Sequence, residues 1–316
     1  MMSDFEAGNQ RKILVCGSIN MDLVVQTPSL PAPGQTLTAN QLDYISGGKG
    51  ANQAVAIARL GGKVGMLAAV GSDGFASTLR ANLQQEGIDL EWVSTKAGPS
   101  GIAIVAVDHQ GENSIMVIPG ANGKLSADDA DLAESAIAQA ALVMLQLEIP
   151  IQTVLHVVRL CRVHNVPVIL NTAPAPKNFP EELFDVDLIC PNQSETALLL
   201  NDLPPVDVDQ AFEAARRLLA KGARQAVITL GELGAVAATK MPNGKPLIQA
   251  IGAHRVHAVD TVAAGDAFLG ALAYKIAQGS ALMEACVFAS AAAAHAVTVR
   301  GAQPSLPNLD QVHARL

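Results

Sequence analysis

Short apolar runs rich in β-branched residues alternate with longer segments of helical periodicity through most of the chain. Continuous apolar runs are typical of strands buried on both faces, and their alternation with helices indicates parallel βαβ units. The sequence therefore predicts an α/β fold, a doubly wound and mostly parallel sheet with helices on both faces. The strands are predicted at residues 13–16, 64–70, 141–146, 168–171, 188–190, 226–229 and 234–239. The helices are predicted at residues 51–60, 76–86, 151–164, 195–200 and 209–221.

Two stretches interrupt this rhythm and lack a following helix. Residues 23–45 contain three prolines and predict short strands at 23–26 and 36–42. Residues 100–118 predict a hairpin, with strands at 102–107 and 114–118 and a turn at 108–111. Together these stretches are expected to form a small antiparallel sheet, a lid beside the main sheet, and outward apolar residues on it would favour homodimerisation. Because no repeat or linker is evident, residues 1–316 are predicted to form a single domain.

Composition narrows the classes of protein. Half of the residues are hydrophobic, 16% are charged and only 3% are aromatic, which predicts a large core of aliphatic side chains and excludes disorder. The net charge of −8, without a basic stripe, argues against nucleic-acid binding. Residues 281–299 are apolar but mostly alanine, too weakly hydrophobic for a membrane span, and residues 1–12 lack a signal core. A cytoplasmic location is expected. The four cysteines are widely spaced, which favours buried structural roles.

Asp266 is the strongest candidate for chemistry. Small residues at 263–265 precede an apolar run at 267–276, which predicts a tight turn into a helix with bare amides at its start. Such a helix N-terminus stabilises developing negative charge, and Asp266 beside it is placed to accept a hydroxyl proton. The alternative is that Asp266 simply caps the helix.

Two further motifs predict a binding site for hydroxyl groups. Residues 46–53 (SGGKGANQ) match neither a Walker A loop nor a dinucleotide fingerprint, yet glycines admit a ligand closely and Lys49 and Asn52 supply donors. Asn20 and Asp22 follow the first strand, at the carboxyl end where ligands bind in open α/β sheets. An amide and a carboxylate suit a vicinal diol. Ordinary glycine and polar turns remain the alternatives.

Three weaker signals lie further along the chain. Asn192 and Glu195 fit a capping box, with a role near a Mg²⁺ hydration shell as the alternative. Residues 229–234 (TLGELG) form a loop suited to nucleotide phosphates, although a lone GxxG pattern is a weak signal. Glu148 follows a strand and would by default be a solvated loop residue. None of the seven histidines has the spacing of a metal site.

In their order and spacing, these motifs resemble the ribokinase family of PfkB-type sugar kinases over residues 13–307. The two family signatures are similar to residues 47–54 and 260–266. The resemblance implies that Asp266 is the catalytic base and that the amides of Ala264 and Gly265, with Ala263, form an anion hole for the transferring phosphoryl group. The sugar-binding residues that it implies are Asn20, Asp22, Gly48, Lys49, Asn52 and Glu148.

The resemblance also implies nucleotide and metal sites. ATP would contact Asn192, Thr229, Gly231 and Gly234 in addition to Ala264 and Gly265. Glu195 would serve Mg²⁺ through water. A K⁺ site would use the side chains of Asp260 and Ser305 with the carbonyls of Val262, Ala296, Val299 and Gly301.

The implied activity is ATP-dependent phosphorylation of D-ribose at the 5-hydroxyl, with Mg²⁺ and activating K⁺, by a homodimer paired through its lids. Asn20 favours ribose over deoxyribose, since deoxyribose kinases of the family tend to carry an apolar residue there. Val262 and Ala267 depart from the Thr or Ser common in the family, and the lid residues 102–105 leave the choice of sugar open. Sibling kinases of deoxyribose, fructose or nucleosides are therefore alternatives. A nucleotide-binding oxidoreductase lacks its GxGxxG, and a silent sugar sensor would be expected to lose Asp266.

Overall fold

The computed structural model describes residues 11–109 and 113–316, which form a large mixed sheet and a small sheet. The strands described are β1 (Ile13–Cys16), β2 (Asn20–Gln26), β3 (Gln41–Gly47), β4 (Val64–Val70), β5 (Asp89–Thr95), β6 (Gly101–Val107), β7 (Asn113–Ile118), β8 (Leu142–Leu145), β9 (Val168–Asn171), β10 (Leu188–Cys190), β11 (Gln225–Thr229), β12 (Ala235–Thr239) and β13 (Leu247–Ile251). The α-helices described are α1 (Lys49–Arg59), α2 (Gly74–Gln85), α3 (Ala127–Leu132), α4 (Glu134–Gln139), α5 (Ile151–His164), α6 (Gln193–Leu200), α7 (Val208–Lys221), α8 (Ala264–Ala277), α9 (Leu282–Ala296), α10 (Ala302–Ser305) and α11 (Leu309–His313).

The large sheet has nine strands in the order β13-β12-β11-β10-β9-β8-β1-β4-β5. Seven of them run parallel, from β11 to β5, while β12 and β13 extend the sheet antiparallel from β11. The predicted α/β fold class is confirmed, and every strand predicted for this sheet is present within one residue of its expected ends. Since the parallel strands share a direction, the residues that follow them meet at one edge.

Helices cover both faces of this sheet because its strands are apolar on both sides. In β1, Ile13 and Val15 belong to one buried cluster while Leu14 and Cys16 belong to the other. The first cluster packs under α1, α2, α8 and α9, and the second under α3 to α7. Burial of alternate side chains on opposite faces is what a central strand of a doubly wound sheet requires. All four cysteines are buried within these clusters.

The small sheet has the order β3-β2-β6-β7. Its two hairpins are antiparallel, as predicted, but they join through β2 and β6, which run parallel. The strand predicted at residues 36–42 was wrong, because β3 begins at Gln41 and places Gly47 opposite Asn20. Pairing with β2, and not the local alternation, sets this register. Of the turn predicted at 108–111, residues 110 and 111 lie outside the described residues.

Two strands of the large sheet escaped prediction. β5 and β13 are edge strands with mixed polar and apolar residues, so neither carries the continuous apolar run of a buried strand. Their pairing with β4 and β12 supplies the backbone partners that define them. Nowhere in the part of the chain that the structure describes is a helix both long enough and apolar enough to cross a membrane.

Candidate active site

The predicted site residues converge where the parallel strands of the large sheet end. The loops after β1, β8, β9, β10 and β11 leave the sheet at one edge, and helices α1, α6 and α8 begin there. The small sheet starts beside this edge, because β2 follows β1 after three residues. The site is thus bounded by two sheets and by the N-termini of three helices, a common location for ligand sites in α/β proteins.

Asp266 is buried, and its carboxylate faces α1. It is the third residue of α8, and its Oδ2 and Oδ1 accept hydrogen bonds of 3.0 Å from Asn52 Nδ2 and Gln53 Nε2. The capping residue of α8 is Ala263, which makes no side-chain cap. The alternative that Asp266 merely caps its helix is therefore wrong, because both of its oxygens bind side chains of another helix.

The turn that precedes α8 is tight. Ala263 lies in the left-handed region, with φ of 60°, which is uncommon for a residue with a side chain. The first amides of a helix have no intrahelical acceptor, and those of the first turn of α8 lie beside Asp266. A Cβ atom added to Gly265 would meet no atom within 4 Å, so open space lies in front of this turn. The geometry can hold an anion next to the Asp266 carboxylate.

Gln53 was named in the α1 motif but not as a site residue, and it connects Asp266 to two strands. Its Nε2 donates to Asp266 Oδ1 at 3.0 Å and to Asn171 Oδ1 at 3.2 Å, while its Oε1 accepts from Gln146 Nε2 at 2.6 Å. Gln53 and Gln146 are fully buried. With both amide hydrogens and the amide oxygen engaged, Gln53 has one orientation. Gln146 and Asn171 are polar residues at the ends of apolar strands, a signal that could have identified them.

Glu148 is not a solvated loop residue, since it ties the loop after β1 to the start of α1. Its Oε2 accepts from Ser18 Oγ at 2.5 Å and from the backbone N–H of Lys49 at 3.2 Å. Gly48, the capping residue of α1, has φ of 92°, and a Cβ there would lie 2.8 Å from the backbone nitrogen of Asn20. Glycine is therefore required where these two segments touch.

Four carboxylates and one ammonium group dominate the electrostatics of the site. Burial raises the pKa of Asp266, more than the nearby Lys49 and the hydrogen bonds from Asn52 and Gln53 lower it. Burial by itself would lower the pKa of Lys49, but Asp266, Glu148 and Glu195 raise it above its ordinary value. Lys49 is therefore a permanent cation in an acidic site.

The fold disfavours the ionised form of the Asp22 carboxyl group. Burial, followed by the charges of Glu148 and Asp266, raises its pKa from 3.8 to about 7. Its Oδ1 is buried without a hydrogen-bond partner among the described residues. An unpartnered acceptor of this kind is suited to the hydroxyl group of a ligand.

Replacement of Asp22 by asparagine should stabilise the ligand-free protein at alkaline pH. The fold retains the Asp22 proton between the ordinary carboxyl pKa and about 7, and so its stability declines as pH rises through this window. We expect Asp22→Asn to raise the free energy of unfolding by about 1–3 kcal/mol at pH 8, and by less at pH 5. Urea denaturation at both pH values measures this, with Asp209→Asn, on an exposed helical turn, as the control. An equal effect at both pH values would contradict the assignment.

Asn20 is buried at the start of β2, two residues from Asp22 and on the same face of the strand. Its Oδ1 accepts a hydrogen bond of 2.7 Å from Asn122 Nδ2. Asn122 is 1% exposed and was not identified from the sequence. Among the described residues Asn20 Nδ2 has no partner, so the Asn20 amide offers a donor.

Asn192, Thr229 and Glu195 lie together at the ends of β10 and β11. Asn192 forms a parallel bridge with Thr229 and caps α6 in the predicted capping box. The Glu195 carboxylate accepts from the backbone and side chain of Asn192 at 3.0 Å and from Thr172 Oγ1 at 3.1 Å. These three bonds hold Glu195 in place in the first turn of α6 and leave one acceptor position on its Oε1.

The loop after β11 turns at two glycines in the left-handed region. Gly231 has φ of 59° and nothing within 4 Å of an added Cβ, whereas a Cβ on Gly234 would lie 2.0 Å from the Ile251 carbonyl oxygen. Gly234 is therefore needed for the close approach of β13, and Gly231 leaves the loop surface open.

Asp260 joins the two segments that were predicted to hold K⁺. Its Oδ1 accepts from the Val262 N–H at 3.0 Å, and its Oδ2 accepts from the Gly301 N–H at 2.9 Å. Ser305 is buried in α10, four residues after Gly301, and Ala296 ends α9. In residues 11–109 and 113–316, no three His, Cys, Asp or Glu side chains are grouped as metal ligands.

Comparison with known proteins identifies the class. The chain matches the pfkB family carbohydrate kinase model over residues 10–309 and belongs to this family of sugar kinases. It is 39% identical to the ribokinase of Haemophilus influenzae over 299 residues, which cover 94% of this chain and 96% of that one. It is 38% identical to the deoxyribokinase of Salmonella typhi, with 96% and 98% covered. The Arabidopsis thaliana ribokinase complexed with ribose and ATP superposes with a TM-score of 0.85 at 32% identity, with 97% and 98% covered.

Proposed function

We propose that this protein phosphorylates D-ribose at its 5-hydroxyl, converting ATP to ADP. The observation that carries the proposal is the position of the buried Asp266 carboxylate, in the same first turn of α8 as the open amides at the start of that helix. A base and an anion site in contact are the two groups that transfer of a phosphoryl group to an alcohol requires.

The chemical step uses few protein groups. The 5-hydroxyl oxygen forms a bond to the γ-phosphorus of ATP while the bond from that phosphorus to the ADP oxygen breaks, and Asp266 accepts the hydroxyl proton. The raised pKa of Asp266 makes it a better base, while Lys49 helps to keep it ionised. The first-turn amides of α8, at Ala264 and Gly265, would stabilise the charge on the transferring group.

The sugar would lie between α1 and the small sheet. Asp22, Glu148, Lys49 and Asn52 would bind its hydroxyls, with Gly48 allowing close approach of the backbone. The Haemophilus ribokinase and the Salmonella deoxyribokinase are nearly equal in identity to this chain, so overall similarity does not choose the sugar. Asn20 supports ribose, because its unpartnered amide donor requires an acceptor that a hydroxyl provides and a methylene does not.

ATP would extend from the start of α8 across Asn192 and Thr229 toward the loop of Gly231 and Gly234. Mg²⁺ fits a water-mediated contact with Glu195, since that carboxylate is held by three hydrogen bonds and its Oε1, which accepts only one of them, retains a free lone pair. When bound, Mg²⁺ would neutralise charge on the phosphates. The task of Glu195 is then to orient the metal's water shell.

K⁺ would bind where Asp260 joins the two segments beside the anion site. Carbonyl and carboxylate oxygens are suitable donors for this cation, and the Asp260 hydrogen bonds bring them together. The positive charge of K⁺ would stabilise the turn at Ala263. The donors would be Asp260 and Ser305 with the carbonyls of Val262, Ala296, Val299 and Gly301.

A coupled ADP-release assay with D-ribose, 2-deoxy-D-ribose, D-fructose and a nucleoside, in K⁺ or Na⁺, tests the proposal. We expect D-ribose to have the highest kcat/KM and K⁺ to increase turnover. Phosphorus NMR of the product should show a phosphate coupled to the C5 protons. Preference for another acceptor would replace ribose as the substrate, and absence of turnover on every acceptor would contradict the kinase assignment.

The small sheet, which we propose is a lid that excludes water from the sugar, also carries an apolar surface. Six of its side chains on the edge strands β3 and β7 are more than 40% exposed, and they are Leu42, Tyr44, Ile115, Met116, Val117 and Ile118. Exposed apolar side chains that are concentrated on an edge strand indicate a protein interface or a risk of aggregation. We propose that a second copy of the chain covers it.

The substitution pair Ile115→Lys with Met116→Lys should dissociate that dimer. Adjacent strand residues point to opposite faces, so the pair introduces charge on whichever face is covered. We expect the native protein to sediment at roughly twice its 32.7 kDa chain mass, and the variant near one chain mass. Leu203→Lys, at an 84% exposed residue outside the small sheet, is the control. A native monomer, or a variant dimer, would contradict the proposed interface.

A further inference from the structure

Asn122 connects the body of the protein to the base of the small sheet. It lies four residues after the end of β7, in the short 3₁₀ turn Asn122–Lys124. Its Oδ1 accepts from the Ile19 N–H at 3.0 Å, and its Nδ2 donates to the Ile19 carbonyl at 3.1 Å and to Asn20 Oδ1 at 2.7 Å. A side chain from the segment that follows the small sheet thus holds the segment through which the chain first enters that sheet.

These bonds leave one orientation for both amide groups. A backbone N–H can only donate and a backbone carbonyl can only accept. The Asn122 oxygen must therefore face the Ile19 N–H, and the Asn122 nitrogen must face the Ile19 carbonyl. The Asn122 nitrogen is then the atom beside Asn20, and Asn20 must turn its oxygen toward Asn122. The Asn20 nitrogen is left as the group available to a ligand.

The packing around the two amides is tight. A Cβ atom on Gly101 would lie 2.1 Å from Asn122 Nδ2 and 2.2 Å from Asn20 Oδ1. Gly101 begins β6 and pairs with Asn20 across the parallel strands. The chain passes between the large sheet and the small sheet at Asn20, at Gly101 and at Asn122, and all three residues meet at the hydrogen bond between Asn122 and Asn20. A larger residue at position 101 would displace this bond.

Donors are scarce on the sugar side of the site. Asp22, Glu148 and Asp266 supply acceptors for the protons of sugar hydroxyls, so the hydroxyl oxygens depend on the donors of Lys49, Asn52 and Asn20. Turning the Asn20 amide around would add an acceptor where acceptors already abound.

We infer that Asn122 is a positioning residue that holds the Asn20 amide with its donor toward the sugar, and thereby sets the preference for ribose over 2-deoxyribose. The inference rests on the proposed function, with Asn20 facing the 2-hydroxyl. It adds that selectivity depends on a residue that touches no substrate.

Asn122→Asp tests the inference with almost no change of shape. The introduced carboxylate still accepts from Ile19 N–H, but its second oxygen faces the Ile19 carbonyl and Asn20 Oδ1, so the Asn20 amide must turn to donate to it. We expect the ratio of kcat/KM for D-ribose to that for 2-deoxy-D-ribose to fall about tenfold, through KM for ribose. The KM for ATP should change by less than about twofold. Asn308→Asp, at an exposed cap of α11, should leave the ratio unchanged.

Both sugars are measured on one preparation, so partial unfolding cancels from the ratio. Asn122→Ala, which removes the hydrogen bond to Asn20 without adding charge, should lower the same ratio severalfold. This variant replaces Asn122→Asp if the charged variant folds poorly. In an Asn20→Leu background, Asn122→Asp should not change the ratio further, because the group through which it acts is gone.

Equal losses for both sugars, or an undiminished effect in the Asn20→Leu background, would overturn the positioning role. Failure of the proposed function shows in a different place. If the native protein favours 2-deoxyribose or another acceptor, the ribose assignment fails before any variant is made, and the inference about Asn122 fails with it.

Discussion

Replacing Asp266 by asparagine is expected to lower kcat for D-ribose by about 10²–10⁴-fold, the usual contribution of a general base. The amide cannot take the hydroxyl proton, so the attacking oxygen must lose it to water. Binding should change little, because asparagine has nearly the same shape and the remaining sugar and nucleotide contacts are intact. The loss should therefore be in kcat, with KM values for ribose and ATP within severalfold of the native ones.

The surrounding hydrogen bonds can adapt to this substitution. Gln53 cannot turn, so the asparagine oxygen should accept from it and the new NH₂ group should face Asn52. The Oδ1 of Asn52 is buried without a partner, and rotation of the Asn52 amide would let it accept from that NH₂ group.

Steady-state kinetics, with ribose and ATP binding measured separately by calorimetry, test this result. Asp209→Asn, remote from the site on α7, is the control for loss of one carboxylate. Retention of more than about a tenth of native kcat would remove Asp266 from the role of base. Loss of ribose binding together with turnover would instead assign Asp266 to substrate binding.

The sequence was most informative where a local pattern has a local cause. The strands β1, β4, β9 and β10 were predicted with their observed ends, since each is an apolar run bounded by polar or turn residues. The capping box of Asn192 and Glu195 is a contact between residues three apart, and the structure contains it. The motifs at the ends of these strands converge because parallel strands share one edge, which the topology alone predicts.

What escaped prediction depends on contacts distant in the chain. Gln53 meets Asp266 across 213 residues, and Asn122 meets Asn20 across 102. No spacing rule connects such residues, since their approach follows from strand order and helix packing. The prediction of β3 was wrong for the same reason, because its partner β2 is separated from it by a proline-containing loop. That Asp266 faces α1 and does not cap its own helix is likewise a consequence of packing.

Substitution of Gln53 by glutamate should have the second largest effect, about 10²-fold on kcat at pH 7. Gln53 Nε2 now donates to Asp266 Oδ1 at 3.0 Å. The substitution places a second carboxylate at that distance, within a fully buried site, and like charges so close cannot both ionise. The pair should share a proton. Asp266 is then either protonated itself or accepts a hydrogen bond from the protonated carboxyl introduced at position 53, and in both cases it is a poorer base.

The pH dependence follows in sign from this sharing. The pair loses its last proton at a higher pH than Asp266 alone, so kcat of the variant should rise with pH over a range where the native enzyme has levelled. The folded variant retains a proton that the unfolded chain releases, and so the variant's deficit in unfolding free energy should be larger at pH 8 than at pH 5. Rate profiles from pH 5.5 to 9 and urea denaturation at the two pH values measure both effects.

Two controls separate charge from packing. Gln84→Glu adds the same charge on the exposed face of α2 and should leave the rate and its pH profile unchanged. Gln53→Met removes the hydrogen bonds, one of which lowers the pKa of Asp266, without adding charge. It should cost about tenfold in kcat, with a smaller displacement of the profile toward higher pH than in the glutamate variant. If the glutamate and methionine variants both keep the native profile, Gln53 supports α1 by packing and has no electrostatic effect on Asp266. A displacement that is larger in the glutamate variant than in the methionine variant would establish that the charge at position 53 controls the pH range in which Asp266 can accept a proton.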